Sequence, residues 1–196
     1  STFIHYVSLC AGGPWVSVYN EVEWREFQRM LHNGFYFTAR AKQATFDLGL
    51  GAIRRGVMNK KQYAVPAQKW ADLTDQRNNF GVSIFSDSKY GWVFKDQHSL
   101  LLTVLHTPKY YYRADSVQGM MDMGLNRYGY ALYAHKGDYT NGTQFYARAF
   151  HQPLTAFVTS RHPGSLESAF GFAQLNNPGV ILRAMKKAKY STHNIG

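Results

Sequence analysis

The chain has 196 residues, a formal net charge of +10, 45% hydrophobic and 17% charged residues, and a single cysteine, Cys10. Its 14 Tyr and 13 Phe exclude an intrinsically disordered chain, and the lone cysteine excludes an internal disulfide framework. The charge is spread out, with 12 Lys and Arg against 8 acids in residues 1–100 and 10 against 4 in residues 101–196, so no nucleic-acid partner is expected from it.

Residues 1–12 contain apolar side chains but no basic leading segment, so they do not read as a secretory signal, and a reducing, cytoplasmic setting is expected. Cys10, beside Leu9 and without a basic neighbour, reads as a core thiol. Residues 15–24 alternate, with Val16, Val18, Val22 and Trp24 on one face and Ser17, Tyr19, Glu21 and Glu23 on the other, which predicts a half-buried strand. Residues 25–31 are read as strand followed by a turn at Asn33-Gly34. Strand-like segments follow at 35–38 and 44–49, then the basic pair Arg54-Arg55, suited to an acid or a ligand carboxylate.

Residues 65–92 hold the densest set of unusual choices. An apolar strand over 80–85 leads into a polar turn of Asp87, Ser88, Lys89, Tyr90 and Gly91, and Trp70 and Asp72 stand just upstream. An aromatic ring, carboxylates and a cation near one turn suit sugar recognition, because the C–H face of a pyranose stacks on an aromatic ring while Asp and Lys bond its hydroxyls. The same residue types also serve any turn between two strands.

Residues 99–106 read as a core strand buried on both faces, ending at Pro108. Residues 109–126 lack periodicity and read as a long loop. Residues 128–135 alternate again and stop at the Lys136-Gly137-Asp138 and Asn141-Gly142 turns. Residues 144–150 fit helix or strand. Short strands are then expected at 154–158, 170–175 and 180–186, with a turn at Asn177-Pro178-Gly179 and a basic cluster of Arg183, Lys186, Lys187 and Lys189 that reads as a solvated strand end. Many short strands at turn-rich spacing, without βαβ alternation, predict an all-β fold, a large antiparallel β-sandwich with few or no helices, in one domain over residues 1–196. The apolar runs, such as residues 100–102, are too short for a membrane-spanning helix, and no membrane partner is expected.

The eight histidines show no His-x-Asp, His-Glu-x-x-His or Cys-x-x-Cys spacing, so no metal site is expected in this chain. Only His106 and His135, near strand ends, stand out. No Gly-x-Ser-x-Gly elbow is present. A glycosidase needs two carboxylates facing across a sugar; Asp72 and Asp87 are the better-placed acids, and their convergence is not readable from the sequence.

The order of motifs adds more than any one of them. Residues 21–26 (EVEWRE), 46–55 (FDLGLGAIRR), 65–73 (VPAQKWADL), 81–91 (GVSIFSDSKYG), 100–108 (LLLTVLHTP), 130–138 (YALYAHKGD), 152–154 (QPL) and 178–187 (PGVILRAMKK) resemble, in order, the C-terminal β-rich region of glycoside hydrolase family 38 α-mannosidases, most of all the bacterial members. The resemblance implies a large β-sandwich that packs against an N-terminal catalytic barrel and closes part of its rim. It implies zinc and an aspartate nucleophile in that barrel and none in this chain, whose catalytic residues are therefore set at none. It stops at Ala188, which implies a piece of a longer chain. Expected barrel-facing or substrate-rim residues are Asp87, Lys89, Tyr90, Trp70 and Asp72, with the parent's catalytic domain and a mannoside or other carbohydrate as partners. A free-standing carbohydrate-binding module is the competing reading.

Overall fold

The computed structural model describes residues 1–59, 64–108, 121–177 and 180–187. It falls into two compact units, Ser1–Leu154 and Thr155–Gly196. The first unit is all-β with one helix, as two antiparallel sheets. The larger has seven strands in the order β1-β2-β11-β8-β7-β4-β5, and the smaller has four in the order β3-β10-β9-β6.

In the larger sheet, β1 (Thr2–Leu9), β2 (Val16–Trp24), β11 (Gly124–Lys136), β8 (Phe80–Ser86), β7 (Trp70–Asp75), β4 (Gln43–Asp47) and β5 (Ala52–Gly56) lie side by side; the smaller sheet contains β3 (Met30–Tyr36), β10 (Ser99–His106), β9 (Gly91–Asp96) and β6 (Val65–Pro66). Alternation decides what each strand buries. Val22 and Trp24 of β2, Tyr128 of β11, Ile84 of β8, Leu73 of β7 and Phe46 of β4 meet Phe35, Trp92, Phe94, Leu100 and Leu102 of the smaller sheet in the main core. The opposite face of the larger sheet presents Trp70, Phe85, Ala131 and Tyr133, and Ala147, Tyr146 and Phe150 of α1 (Thr143–His151) pack on them.

The helix follows from local chemistry. Gly142, at φ 90°, supplies the left-handed residue that opens it. Thr143, Ala147 and Phe150 then recur at helical spacing toward the sheet. Arg148 and His151 stand in the last turn, where cations suit the helix dipole. His151 also fastens the helix to the sheet, with its ring nitrogens 2.7 Å from the carbonyl oxygens of Ala147 and Ser86.

Several expectations are corrected. Asn33-Gly34 is no turn but lies inside β3, paired with Leu102 and Leu101; a Cβ on Gly34 would stand 2.7 Å from the Tyr36 ring, so the glycine makes room for an aromatic. The face of β10 carrying Leu101 and Thr103 is only half-buried, and a register shift between Thr103 and Leu105 lets both Val104 and Leu105 enter the core. Of the expected loop at 109–126, residues 109–120 lie outside the described residues, while Gly124 to Asn126 are already strand, paired with β2. Cys10 is exposed just beyond β1, an edge strand.

The described part of the second unit contains neither strand nor helix. The strands expected at 154–158, 170–175 and 180–186 are absent: Phe157, Val158, Phe172 and Met185 are all exposed, and apolar β-formers make a strand only where a neighbour supplies a ladder and a cover. Val180 N–H donates to the Asn177 carbonyl at 3.1 Å, while Pro178 and Gly179 of the expected turn lie outside the described residues. Among the described residues no helix is long and apolar enough to cross a membrane.

Candidate functional site

The sequence-derived site residues divide into two groups that do not meet. Trp70 and Asp72 occupy alternate positions of β7 on the helix-covered face, and both are fully buried. Trp70 stacks on Tyr139 with ring centroids 5.3 Å apart. Trp92, two residues past Tyr90, is buried between the sheets against Phe35. These rings are core, because the register of β7 and β9 turns them inward.

Asp72 organises a polar cluster inside this apolar surround. Its Oδ1 accepts the Thr74 hydroxyl at 2.6 Å, and its Oδ2 accepts the Ser83 hydroxyl at 2.8 Å and lies 2.7 Å from His135 Nε2. Ser83 Oγ is also 2.7 Å from Thr143 Oγ1 at the start of α1. The register explains the long reach of His135. It pairs with Gly81 of β8, and β8 separates β11 from β7. A Cβ on Gly81 would stand 2.5 Å from His135 Cε1; without one, the imidazole lies across β8 and touches Asp72 about two strand spacings, ~9.6 Å, from its own backbone.

Serine, histidine and aspartate in contact invite comparison with a hydrolytic triad. The wiring differs. In a triad the imidazole bonds the serine with one nitrogen and the carboxylate with the other. Here Ser83 and His135 both converge on the same carboxylate oxygen, and among the described residues His135 Nδ1 has no hydrogen-bond partner. Asp72 and Ser83 are fully buried, and the cluster ties β7, β8, β11 and α1 together as a structural clamp. Sequence reasoning singled out Asp72 and His135 separately but missed Ser83 and Thr143; the signal was polar residues at inward positions of strands, which becomes informative only once the register is known.

Asp87, Lys89 and Tyr90 form the second group, on the turn between β8 and β9. Asp87 and Tyr90 are exposed, Tyr90 to 54%. The turn is tied down: Asp87 Oδ2 accepts Gly129 N–H at 2.7 Å, Oδ1 accepts the Ser88 hydroxyl at 2.6 Å, and Ser86 Oγ accepts Lys89 N–H at 3.1 Å. Lys89 Nζ lies 6.0 Å from the centroid of the buried Tyr128 ring. Asp87 does not face Asp72 across a cleft: Asp72 sits inside β7, paired with Ser83. His106 lies at the end of β10, where its N–H donates to Asp122 at 2.8 Å. Arg54 reaches Asp138 at 3.7 Å, and Arg55 donates to the Pro66 carbonyl at 3.1 Å and lies over the Phe46 ring.

No three His, Cys, Asp or Glu side chains converge as a metal-ligand set among the described residues. The Asp72–His135 pair lacks a third ligand and an open position, so these residues do not fit a zinc ion.

β1 forms one exposed edge of the larger sheet. Phe3, His5, Val7 and Leu9 pair with Val22, Asn20, Val18 and Val16 and continue the core-facing side of β2 outward. All are exposed, Val7 and Leu9 to 68%.

The first unit is thus a two-sheet, all-β domain with a buried polar cluster and an exposed apolar strand at one edge. Residues 1–115 match the glycosyl hydrolases family 38 C-terminal domain, and the chain belongs to that family. It is 30% identical over 190 residues to "Alpha-mannosidase 2C1" of Mus musculus, covering 93% of this chain and 17% of that protein. It is 27% identical over 180 residues to "Alpha-mannosidase G" of Dictyostelium discoideum, covering 87% of this chain and 16% of that protein. The fold is similar to the crystal structure of an alpha-mannosidase from Enterococcus faecalis V583, with a TM-score of 0.72 at 18% identity over 84% of this chain and 19% of that one. The chain thus spans about a sixth to a fifth of the relatives it matches.

Proposed function

We propose that this chain is the non-catalytic C-terminal β-domain of an α-mannosidase, packing on the enzyme's catalytic domain and helping it hold a mannoside. The observation that carries this reading is the apolar inner face of β1, which extends the core side of the larger sheet beyond the cover of the four-stranded sheet. A bare row of Phe3, Val7 and Leu9 is costly in water and suits burial against another domain. The relatives' much greater length supplies the remainder of an α-mannosidase polypeptide as the occupant.

The Asp87–Tyr90 turn fits the same reading. Asp87 N–H donates to the Gly129 carbonyl, Gly129 pairs with Tyr19, and Tyr19 pairs with Tyr6 of β1. Turn and edge therefore share one cross-strand row, three strand spacings or about 14 Å apart, on the face of the sheet opposite Phe3, Val7 and Leu9, so a partner that meets both wraps around the β1 edge. Tyr90, Asp87 and Lys89 then offer a ring, a carboxylate and an ammonium to a sugar at the domain boundary. Zinc and the nucleophile belong to the catalytic domain in this reading, and the chain alone does not turn over an aryl α-mannoside with or without added zinc. The exposed thiol of Cys10 suits a reducing compartment such as the cytoplasm. The competing binding-module reading loses its best stacking groups, since Trp70 and Trp92 are buried.

The test is Val7→Glu with Leu9→Glu in the full-length protein. The expected result is a lower melting temperature and reduced α-mannosidase activity. Unchanged stability and activity overturn the docking assignment, and saturable mannose binding by the chain alone at low millimolar sugar favours the binding module.

A further inference from the structure

At the sheet edge remote from β1, a cleft of about 350 Å³ opens between the segment joining β3 to β4, strand β5 and the turn joining β7 to β8. Its volume lies within the roughly 300–1,000 Å³ range of small-ligand sites. Arg40, Lys42, Arg54 and Arg77 line it, with Asp75 and Asp138 as the only acids among the described residues. We infer that this cleft binds a monosaccharide-sized ligand carrying a phosphate or sulfate ester.

The argument rests on where the carboxylates are committed. Asp75 is only 2% exposed. Its Oδ2 accepts Arg40 N–H at 3.1 Å and Asn78 Nδ2 at 2.8 Å, and its Oδ1 accepts the N–H groups of Arg77 at 3.0 Å and Asn78 at 3.1 Å. The carboxylate thus fixes the backbone on both sides of the cleft and is spent on amides. Asp138 is likewise taken up by Thr140, whose N–H and hydroxyl donate to Oδ1 at 3.0 and 2.6 Å, while Oδ2 stands 3.7 Å from Arg54. The Arg40, Lys42 and Arg77 side chains have no carboxylate within 4 Å among the described residues. Three unpaired cations and one loosely paired guanidinium around one concavity repel each other, and an anionic ester relieves that repulsion. Guanidinium forks match the spacing of phosphate or sulfate oxygens, while Gln43 in the same lining supplies a polar group for a sugar hydroxyl.

This inference is independent of the docking assignment for β1. It is tested by calorimetric titration of the full-length protein with glucose 6-phosphate, inorganic phosphate, inorganic sulfate and glucose, and of two variants, Arg40→Gln with Arg77→Gln, and Lys42→Gln. The expected result is saturable binding of glucose 6-phosphate, weaker binding of the inorganic anions, no heat with glucose, and a Kd raised at least about tenfold in the double variant. Rising salt weakens the binding. No binding of glucose 6-phosphate at millimolar concentration, or equal affinity in wild type and both variants, overturns the site. Inorganic phosphate binding as tightly as the ester overturns the sugar-ester assignment.

Discussion

Gly81→Ala is the sharpest probe of the buried clamp. The new Cβ would stand 2.5 Å from His135 Cε1, 3.0 Å from His135 Nε2 and 3.1 Å from the Leu73 carbonyl oxygen. To restore an ordinary contact the imidazole must retreat by about 1 Å, which lengthens its 2.7 Å contact with Asp72 beyond hydrogen-bond range. Losing a buried hydrogen bond to a charged group costs about 1.5–3 kcal/mol, and residual overpacking adds about 1–3 kcal/mol, so the substitution should destabilise the domain by roughly 3–5 kcal/mol. His135→Ala is also destabilising, because it strands Asp72. In that background the space above Gly81 is vacant, and Gly81→Ala should cost close to nothing, its backbone-entropy gain of about 0.5–1 kcal/mol offsetting the tight Leu73 contact. The coupling between the two positions should therefore exceed about 2 kcal/mol. Equilibrium urea unfolding reads it directly, since Trp24, Trp70 and Trp92 are buried and report unfolding by fluorescence. Additivity within about 0.5 kcal/mol would refute the account of His135 crossing β8 through the glycine gap.

Burial pushes the Tyr128 hydroxyl up to about 12 from 10.0, against the opposing pull of its bond to Asn33. Because the folded value is the higher one, this stabilisation is fully present below pH 10 and is lost as pH rises from 10 through about 12; Tyr128→Phe should flatten that alkaline limb in stability measured against pH, and superimposable curves would contradict it. The bond to the Asn78 amide, followed by the backbone bonds around it, holds the Asp75 carboxyl below 3.8, so its contribution is present above pH 3.8 and is lost as pH falls through the depressed folded value. Asp75→Asn should reduce the acid sensitivity of the thermal midpoint, and an unchanged acid limb would count against the frame drawn for the cationic cleft. Asp87→Ala removes the acceptor of Gly129 N–H and should cost about 1 kcal/mol, whereas Lys89→Ala should stay within about 0.5 kcal/mol; chemical unfolding of the two variants checks the order, and the reverse order would mean that the turn is held by its lysine.

Strands whose two faces differ in character were legible from the sequence. β2 and β11 declare themselves by alternation, and β10 by its apolar density. β3 was misread at Asn33-Gly34 because a turn dipeptide was weighed without knowing that Tyr36 needs the room over Gly34. Residues such as Phe157 and Val158 carry strand propensity, yet propensity alone does not supply a neighbouring ladder. The candidate site was half legible for the same reason. The polar turn with Asp87 and Tyr90 is readable from its residue types and lies between β8 and β9, whereas the burial of Trp70, Asp72 and Trp92 depends on register, and register is a property of pairs of strands. The cationic cleft escaped notice because Arg40, Arg54 and Arg77 are far apart in the chain and share no motif.

The connection of β11 to its neighbours has a consequence for assembly. It pairs with β2 from Gly124 to Leu132 and with β8 from Tyr130 to Lys136, so only Tyr130, Ala131 and Leu132 hold both partners at once. The β1–β2 hairpin, formed from the first residues of the chain, reaches the rest of its sheet only through this late strand. Pairings of such long sequence separation form slowly. During synthesis the hairpin must wait, with its apolar side chains bare, until more than a hundred further residues have emerged. A fault that weakens the three-residue splice would release the hairpin while leaving the β8-β7-β4-β5 ladder paired, giving a partly folded species with an open strand edge on each side of the break and a corresponding tendency to self-associate.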